Sequence, residues 1–408
     1  MKNVLMVTYY FPPMGGVGTM RTVKFVKYLQ KHGWLPLILT VNKRWGERGD
    51  ESLQRDIPSN VKIYRTPSPE LSRSLPWRVR NLIESLIFFP DNKMGWIPFA
   101  LSSARRIIKN EKIDLIYSSS APYTSHIVGL LLKKTLNRPW VADFRDPWID
   151  NFTYQPLTKF HKIIDEKLER EVVKNADRVI SSTESYSEQF INKYPYERPE
   201  KFITITNGYD EDDFNDLPVR MDQGKCRIVY VGSFYSGQSP EKFLSAVKIL
   251  IKENPDLISE IEIIFVGNIY KPVVKMCKQM KLNDVVKIYS HVDHKESIEY
   301  MASADALLLL LNPGGAGCFP AKIFEYIRSG KPIIRLVPEG ESKKLLHSTR
   351  TGIAVDPENV GAIKNALLSI YKAKKNGKLT IDPNWEEIKK YERAKQAKVL
   401  CACFDQLI

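Results

Sequence analysis

One glycine-rich segment of the chain is followed by two charged side chains whose types and spacing suit a phosphate-bearing ligand. Residues 313–317 follow an apolar run, and Lys322 and Glu325 lie in the helix predicted after them. Side chains three residues apart share one face of a helix. A lysine near a helix N-terminus adds positive charge where a diphosphate would bind, and a glutamate one turn later accepts hydrogen bonds from neighbouring ribose hydroxyls. A surface ion pair explains the same spacing, so both interpretations stay open at this point.

A second glycine loop, at residues 12–18, follows the first predicted strand and precedes a predicted helix. Gly15 and Gly16 allow the backbone to approach a ligand closely, and the N–H groups that begin the helix attract phosphate. The loop lacks the G-x-G-x-x-G spacing, and no acidic residue ends the second strand, which argues against a nicotinamide dinucleotide site. A tight turn without a ligand fits this loop equally well.

Charged residues also cluster at the end of the strand predicted at 140–143, where Asp143, Arg145 and Asp146 stand close together. Loops at strand ends often carry binding and catalytic groups. A structural Asp–Arg network is one alternative, and a metal site on the two aspartates is another. No cluster of His or Cys accompanies the aspartates, which argues against the metal.

Short apolar runs alternate with longer amphipathic stretches, a pattern typical of βα units and parallel sheets. The length of 408 residues predicts two such domains, with an acidic linker at 210–224 and one long final helix at 385–407. The predicted strands are 4–7, 34–41, 61–65, 115–118, 140–143, 178–181, 202–205, 227–232, 261–266, 286–289, 306–311, 332–336 and 353–355. The other predicted helices are 19–32, 98–110, 123–136, 157–175, 184–193, 239–253, 295–301 and 320–329.

The chain is basic, with a net charge of +14, and residues 1–150 hold 23 Lys and Arg against 12 Asp and Glu. Such a surface attracts phosphates, nucleic acid or anionic lipid. No nucleic-acid recognition motif accompanies the charge, so we expect no nucleic-acid partner. The five cysteines are scattered without a C-x-x-C pair, which indicates a reducing, cytoplasmic compartment.

Residues 72–96 mix arginines with apolar and aromatic side chains, as an interfacial membrane helix does. A lid and an ordinary core helix are the alternatives for this segment. No apolar stretch of the sequence is long enough to span a bilayer. The membrane interpretation therefore predicts peripheral association with an anionic inner membrane face through residues 72–96.

The run of residues 319–334, FPAKIFEYIRSGKPII, resembles the donor-site signature of the family-4 retaining glycosyltransferases, which have the GT-B fold. Residues 143–148, DFRDPW, resemble a motif of a branch that acts in bacterial surface-polysaccharide assembly. The landmarks are similar to the family in order and spacing over nearly the whole chain. Besides the two runs above, the landmarks are the Gly15–Gly16 loop and residues 207–214, 230–233, 265–267 and 304–306.

The resemblance implies an α/β architecture of two Rossmann-like domains that face each other across a cleft. It places an acceptor-side domain at 1–212 and a nucleotide-sugar-binding domain at 213–384. It also implies that a C-terminal helix, residues 385–408, crosses back and packs on the first domain.

The resemblance further implies roles for individual residues. Glu325 would hold the ribose of the donor, and Lys322 would hold its diphosphate. Fixed cations stabilise the charge on a departing nucleoside diphosphate, and a carboxylate stabilises an oxocarbenium-like sugar. The implied donor-binding residues are Gly15, Gly16, Gly232, Ser233, Gln238, Gly317, Lys322 and Glu325, and the implied catalytic residues are Asp143, Arg145 and Asp146.

The implied activity is metal-independent transfer of a hexosyl or related sugar, with retention, from a UDP- or GDP-linked donor. The acceptor would be a glycan or a lipid-linked glycan of cell-surface polysaccharide synthesis, and no cofactor is expected. Gly317 stands where the family often has the first glutamate of E-x7-E, and Ser233 stands where many members have arginine. These departures leave open a degenerate protein that binds a glycan or partner without turnover. A UDP-sugar epimerase of the same fold is a further alternative, but the acid–base pattern it needs is missing.

Overall fold

A computed structural model of the chain describes residues 1–42, 49–69, 76, 78, 89–152, 154–156, 158–215, 217, 224–234, 238–311, 313–320 and 322–408. The chain divides into two compact units. The first comprises Met1–Thr206 together with Arg393–Ile408, and the second comprises Asn207–Glu392. The units therefore change at residues 206/207 and 392/393, whereas the sequence led us to expect 212/213 and 384/385.

The first unit is built on a seven-stranded parallel sheet. Its strands are β1 (Lys2–Thr8), β2 (Trp34–Val41), β3 (Lys62–Thr66), β4 (Leu115–Ser119), β5 (Trp140–Arg145), β6 (Arg178–Ser181) and β7 (Phe202–Thr204). They lie in the order β3-β2-β1-β4-β5-β6-β7. The order reverses between β1 and β4, and open α/β sheets bind ligands beyond the carboxyl ends of the strands at such a point.

Helices cover both faces of this first sheet, so its central strands are buried on either side. One apolar cluster contains Leu5, Trp96 and Trp140, and the other contains Val4, Phe25 and Phe404. The helices are α1 (Val17–Leu29), α2 (Ile97–Asn110), α3 (Thr124–Leu136), α4 (Lys159–Asn175) and α5 (Glu184–Lys193).

The second unit has a six-stranded parallel sheet with the same kind of reversal. Its strands are β8 (Cys226–Val231), β9 (Ile261–Val266), β10 (Val286–Tyr289), β11 (Ala306–Leu310), β12 (Ile333–Leu336) and β13 (Gly352–Ala354). They lie in the order β10-β9-β8-β11-β12-β13, so β8 and β11 flank the switch point. The α/β fold and its parallel sheets are as the sequence predicted.

The helices of the second unit pack on both faces of its sheet and enclose two apolar clusters. They are α6 (Glu241–Glu253), α7 (Leu257–Glu260), α8 (Lys271–Gln279), α9 (His294–Ala302), α10 (Ile323–Arg328), α11 (Glu341–Ser348), α12 (Val360–Lys375) and α13 (Trp385–Ile388). The sequence prediction missed α7, α8, α11 and α12.

The final segment is a correction, because the single helix expected at 385–407 is broken. Helix α13 and a 3-10 turn, Lys389–Tyr391, belong to the second unit, and α14 (Arg393–Asp405) belongs to the first. Glu392 is extended between them and pairs with Tyr209, whose N–H donates to the carbonyl of Tyr391 at 3.1 Å. This pairing ends the 3-10 turn before the chain enters the first unit.

Two other expectations concern segments that the structure covers only in part. The acidic linker begins with a 3-10 turn, Glu211–Phe214, that packs on the second unit: Arg328 forms an ion pair with Glu211 and lies over the Phe214 ring at 4.8 Å. Residues 216 and 218–223 lie outside the described residues. Most of the basic, aromatic segment 72–96 does as well, namely residues 72–75, 77 and 79–88. Within the described part of the chain, every helix is too short or too polar to cross a bilayer.

Helix α14 packs into the first unit. Leu400 and Phe404 are fully buried, and the Phe404 ring meets those of Trp34 and Tyr117 at 5.1 and 6.1 Å. The opposite side of the same helix faces solvent, where Val399 is 46% exposed. The helix therefore contributes to the apolar core of the first unit.

We predict that Leu400→Ala lowers the unfolding free energy by about 2–5 kcal/mol, because a buried leucine leaves a cavity. The neighbouring Val399→Ala, on the exposed side of α14, changes it by less than about 0.5 kcal/mol. Urea titration followed by circular dichroism measures both. Equal effects of the two substitutions would contradict the packing of α14 described above.

Candidate functional site

In the second unit, the loop between β11 and α10 is fixed at both of its ends. Strand β11 is buried over its whole length, and Ala306 and Leu307 pair with β8. On α10, the Tyr326 hydroxyl accepts a hydrogen bond from the Val231 N–H at 2.8 Å. This contact ties the helix to the carboxyl end of β8. The side chains that begin α10 therefore lie at the switch point of the sheet.

The glycine loop itself rests on the first turn of α11. The carbonyl of Ala316 accepts from the Glu341 N–H at 2.9 Å, and that of Cys318 accepts from the Ser342 hydroxyl at 3.1 Å. Gly340 has φ 147°, and a Cβ there would stand 2.1 Å from the Ala316 oxygen. Gly317, which stands where the family often has a glutamate, thus lies between two anchored carbonyls.

Lys322 is the last residue before α10, and its ammonium is held within the second unit. Its Nζ is 3.1 Å from His294 Nδ1 and 3.1 Å from Ser297 Oγ, both on α9. Nζ also lies 3.9 Å from Glu325 Oε1, which is an ion pair rather than a hydrogen bond. The sequence brought Lys322 and Glu325 together correctly, but it gave His294 no more than a hydrogen bond within the 290–294 loop and gave Ser297 no role.

Glu325 is 6% exposed, and its second carboxylate oxygen is incompletely satisfied. Oε2 is buried and meets no hydrogen-bond donor in the described part of the chain. A buried acceptor without a partner is costly, and such groups in native structures call for an explanation. A ligand hydroxyl that donates to Oε2 would supply the missing bond.

The other residues that the sequence assigned to donor-sugar binding lie around the carboxyl ends of β8 and β11. Gln238 donates from Nε2 to the carbonyl of Leu310 at 2.9 Å, which places it at the end of β11. The carbonyl of Ser233 accepts from the Tyr230 hydroxyl at 3.2 Å. Gly267 has φ 135°, and a Cβ there would be 2.0 Å from the Gly232 oxygen. Gly232, Ser233 and Gln238 therefore lie at the same sheet edge, while residues 235–237 lie outside the described residues.

In the first unit, Asp143 is wholly buried and bound by several donors. Arg21 donates from Nε at 2.7 Å and from Nη2 at 3.1 Å, and the Tyr117 hydroxyl also donates to the carboxylate. Burial by itself lowers the pKa of Arg21, but the charges and hydrogen bonds of Asp143 and Tyr117 together outweigh it, and the pKa is raised. The sequence led us to expect Asp143 at the reacting centre. Its carboxylate is 0% exposed and is held by these donors, from which we infer a positioning role.

Arg145, two residues after Asp143, has a backbone conformation that residues other than glycine seldom adopt. Its φ is 57°, and its Nε is buried without a hydrogen-bond partner among the described residues. Such backbone outliers cluster at functional sites. A Cβ on Gly18 would lie 2.7 Å from Arg145 Nη1, so the guanidinium packs directly on the first turn of α1. The guanidinium and the start of α1 place positive charge at one point.

The other first-unit residues of the predicted site lie beside this point. Gly15 accepts a hydrogen bond from Thr19 Oγ1 at 3.4 Å, and Gly16 precedes α1 with φ 114°. Asp146 is partly exposed, with Oδ2 at 3.9 Å from Arg145 Nη2. His126 is also close to this sheet edge, packed on Phe144, but burial lowers its pKa to about 3 and keeps it neutral.

Three side chains of the second-unit site were missed from the sequence: Asp213, His294 and Ser297. The Nε2 of His294 is 2.9 Å from Asp213 Oδ2. One signal was present, because His294 starts the helix that follows β10, and residues after parallel strands gather at one sheet edge. Nothing in the spacing linked Asp213 to it, because the two are far apart in the chain.

Comparison with known families divides the chain close to its two units. Residues 14–213 match the family described as Glycosyltransferase Family 4, and residues 213–391 match the family described as Glycosyl transferases group 1. Together these matches cover most of the chain, and both describe sugar transfer.

Curated relatives are distant and match in part. The D-inositol 3-phosphate glycosyltransferase of Streptomyces scabiei is 23% identical over 214 residues, which are 49% of this chain and 47% of that protein. The match thus spans about half the length of that relative.

Among solved structures, the chain resembles sucrose-phosphate synthase from Thermosynechococcus elongatus, with a TM-score of 0.66 and 16% identity over 100% of this chain and 99% of the other. It also resembles Anabaena HepE in complex with UDP and glucose, with a TM-score of 0.59 and 15% identity over 100% and 98%. At these identities the likeness shows the fold.

We predict that Asp143→Ala lowers the unfolding free energy by about 3–5 kcal/mol, because it leaves the buried Arg21 without its counter-ion. Asp146→Ala, in the same loop but partly exposed, changes it by less than about 1 kcal/mol. Urea unfolding of both variants checks this. A small effect at Asp143 would mean that Arg21 finds another partner, and the positioning role would fall.

Proposed function

This chain belongs to the family-4 glycosyltransferases and has the GT-B fold, and from this we propose that it transfers a sugar from a nucleoside-diphosphate sugar, with retention and without a metal. The acceptor we propose is a glycan or lipid-linked glycan of cell-surface polysaccharide synthesis. Such an acceptor would bring the protein to the cytoplasmic face of a membrane, where its basic first third favours anionic lipid.

The observation that carries the proposal is the arrangement of Lys322 and Glu325 at the switch point of the second sheet. One side chain offers a cation, and the other offers a buried acceptor that meets no hydrogen-bond donor among the described residues. A nucleoside diphosphate presents the complementary groups, namely an anionic diphosphate and ribose hydroxyls. We propose that Lys322 binds the diphosphate and Glu325 binds the ribose, with Gln238, Ser233 and the backbone of Gly232 and Gly317 completing the donor site.

The proposed chemistry places the cation where charge develops. As the bond between the anomeric carbon and the diphosphate oxygen breaks, negative charge grows on the leaving diphosphate, and a fixed ammonium stabilises it more in the transition state than in the ground state. Retention means that the acceptor oxygen forms its bond on the face that the diphosphate leaves. The acceptor's proton passes to the departing phosphate oxygen.

In the first unit, we propose that Arg145 and Asp146 act at the transfer step, with Gly15 and Gly16 providing backbone N–H groups for an anion. Arg145 supplies a cation at the first turn of α1, and the Asp146 carboxylate suits an oxocarbenium-like sugar. Asp143 and Arg21 hold the strand end from which both residues project.

We propose UDP or GDP as the donor nucleotide. The solved structure of Anabaena HepE, similar in fold, contains UDP and glucose, which favours UDP. The departure at Gly317 supports a second candidate function, a protein that binds a nucleotide sugar or glycan without turnover. The loop lacks the first glutamate of E-x7-E, and hydrogen bonds from the start of α11 to the carbonyls on either side of Gly317 hold it in place.

We predict that one of UDP, GDP, dTDP, ADP and CMP raises the melting temperature of the wild-type protein, since a ligand that binds only the folded state stabilises it. Glu325→Gln should reduce that shift, because an amide donates where the ribose hydroxyls also donate. Glu358→Gln, whose side chain is 76% exposed, is the matched control and should behave as wild type.

The screen separates the readings of the donor site. A shift that Glu325→Gln abolishes supports the ribose role. An unchanged shift in that variant would remove Glu325 from the site. Absence of any shift at millimolar nucleotide would overturn the proposed donor class for this chain.

We predict that the protein releases nucleoside diphosphate when the donor is a sugar derivative of the nucleotide that stabilises it. We expect EDTA at about 1 mM to change the rate by less than about twofold, because fixed cations rather than a metal neutralise the leaving group. Proton NMR should show that the transferred sugar has the same anomeric configuration in the product as in the donor. A metal-dependent rate or an inverted product would contradict the proposed chemistry. Tight nucleotide binding without turnover would favour the non-catalytic candidate.

A further inference from the structure

Two polar side chains outside the run 319–334 form a line of contacts that ends on Lys322. Asp213 lies in the turn Glu211–Phe214, and His294 begins α9. Their side chains are only 6% and 4% exposed. His294 Nε2 is 2.9 Å from Asp213 Oδ2, and His294 Nδ1 is 3.1 Å from Lys322 Nζ. All three residues belong to the second unit.

The two neighbours of the imidazole fix its tautomer. A lysine ammonium can only donate, so Nδ1 must accept from Lys322. A carboxylate can only accept, so Nε2 must carry the proton and donate to Asp213. His294 is therefore the neutral Nε2–H form, and Asp213 selects it. In metal sites, a carboxylate that accepts a hydrogen bond from a histidine orients that histidine toward the metal ion in the same way.

These contacts hold the Lys322 ammonium in one place and leave part of its hydrogen-bonding capacity for a ligand. An ammonium has three N–H donors, and His294 Nδ1 and Ser297 Oγ take one each. The third can be offered to an anion. A lysine side chain is long and flexible, so fixing Nζ before a ligand arrives removes an ordering cost from binding.

We propose that His294, oriented by Asp213, is a positioning residue that holds the Lys322 ammonium for the diphosphate of the donor. The inference rests on the proposed function and adds a pair of residues to it. Neither residue touches the sugar or the nucleotide. Their effect on the donor passes through Lys322 alone.

Two substitutions of one residue separate positioning from simple packing. In His294→Asn the amide oxygen lies near the place of Nδ1 and keeps an acceptor for Lys322. In His294→Gln the longer side chain brings its amide near the place of Nε2, so it keeps a donor for Asp213 and loses the acceptor for Lys322. Isothermal titration of UDP and GDP into the wild type and both variants measures the affinity, and thermal melts without ligand report folding.

We expect His294→Gln to bind the preferred diphosphate roughly ten- to a hundredfold more weakly, the range for a lost hydrogen bond to a charged group. We expect His294→Asn to stay within about threefold of the wild type, since one acceptor replaces another. Uridine or guanosine, which lack phosphate, should bind all three proteins alike.

Equal affinity in the wild type and both variants would overturn the inference while leaving the proposed function intact. Equal losses in both variants, matched by equal losses of melting temperature and of nucleoside binding, would reduce His294 to a packing residue and overturn it as well. A wild type that binds neither UDP nor GDP would overturn the proposed donor class and the inference together.

Discussion

A charge that is withdrawn from water must be met by an opposite charge or by hydrogen bonds, and both units of this protein are organised around that constraint. In the first unit, Arg21 is fully buried and reaches Asp143 as well as the carbonyls of Ile205 and Thr206. One guanidinium thus joins α1, the end of β5 and the end of the first unit's main segment. Because β5 is fixed in this way, the strained Arg145 at its end is held against the first turn of α1.

The second unit satisfies the same constraint differently. Lys322 is only partly buried, and a neutral imidazole, a hydroxyl and a nearby carboxylate share its charge. No acidic side chain within hydrogen-bond distance neutralises it among the residues that the structure describes. The ammonium therefore keeps charge to offer to an anion, whereas the charge of the Arg21 guanidinium is paired with the buried carboxylate of Asp143. This contrast is the physical reason why we propose a structural role for Arg21 and a binding role for Lys322.

The sequence predicted much of the architecture because its signals are local. Apolar runs such as those of β2, β6 and β9 have the bounds that the pattern predicted, and alternating strands and helices required parallel sheets. Helices α8 and α11 were missed because short amphipathic segments between loops carry a weak periodic signal. The long final helix was predicted as continuous because its composition is helical throughout, whereas the pairing of Glu392 with Tyr209 depends on a residue distant in the chain.

For the site, the sequence by itself determined the Lys322–Glu325 pair, because the turn that begins a helix brings side chains three residues apart close together wherever the helix lies. The same local reasoning placed Asp143, Arg145 and Asp146 at a strand end, but it did not determine which of them is buried. Only the tertiary structure decided that Asp143 is enclosed by Arg21 and Tyr117, and that His294 lies between Asp213 and Lys322. Burial and side-chain pairing depend on contacts between distant segments, and no spacing within a single segment encodes them.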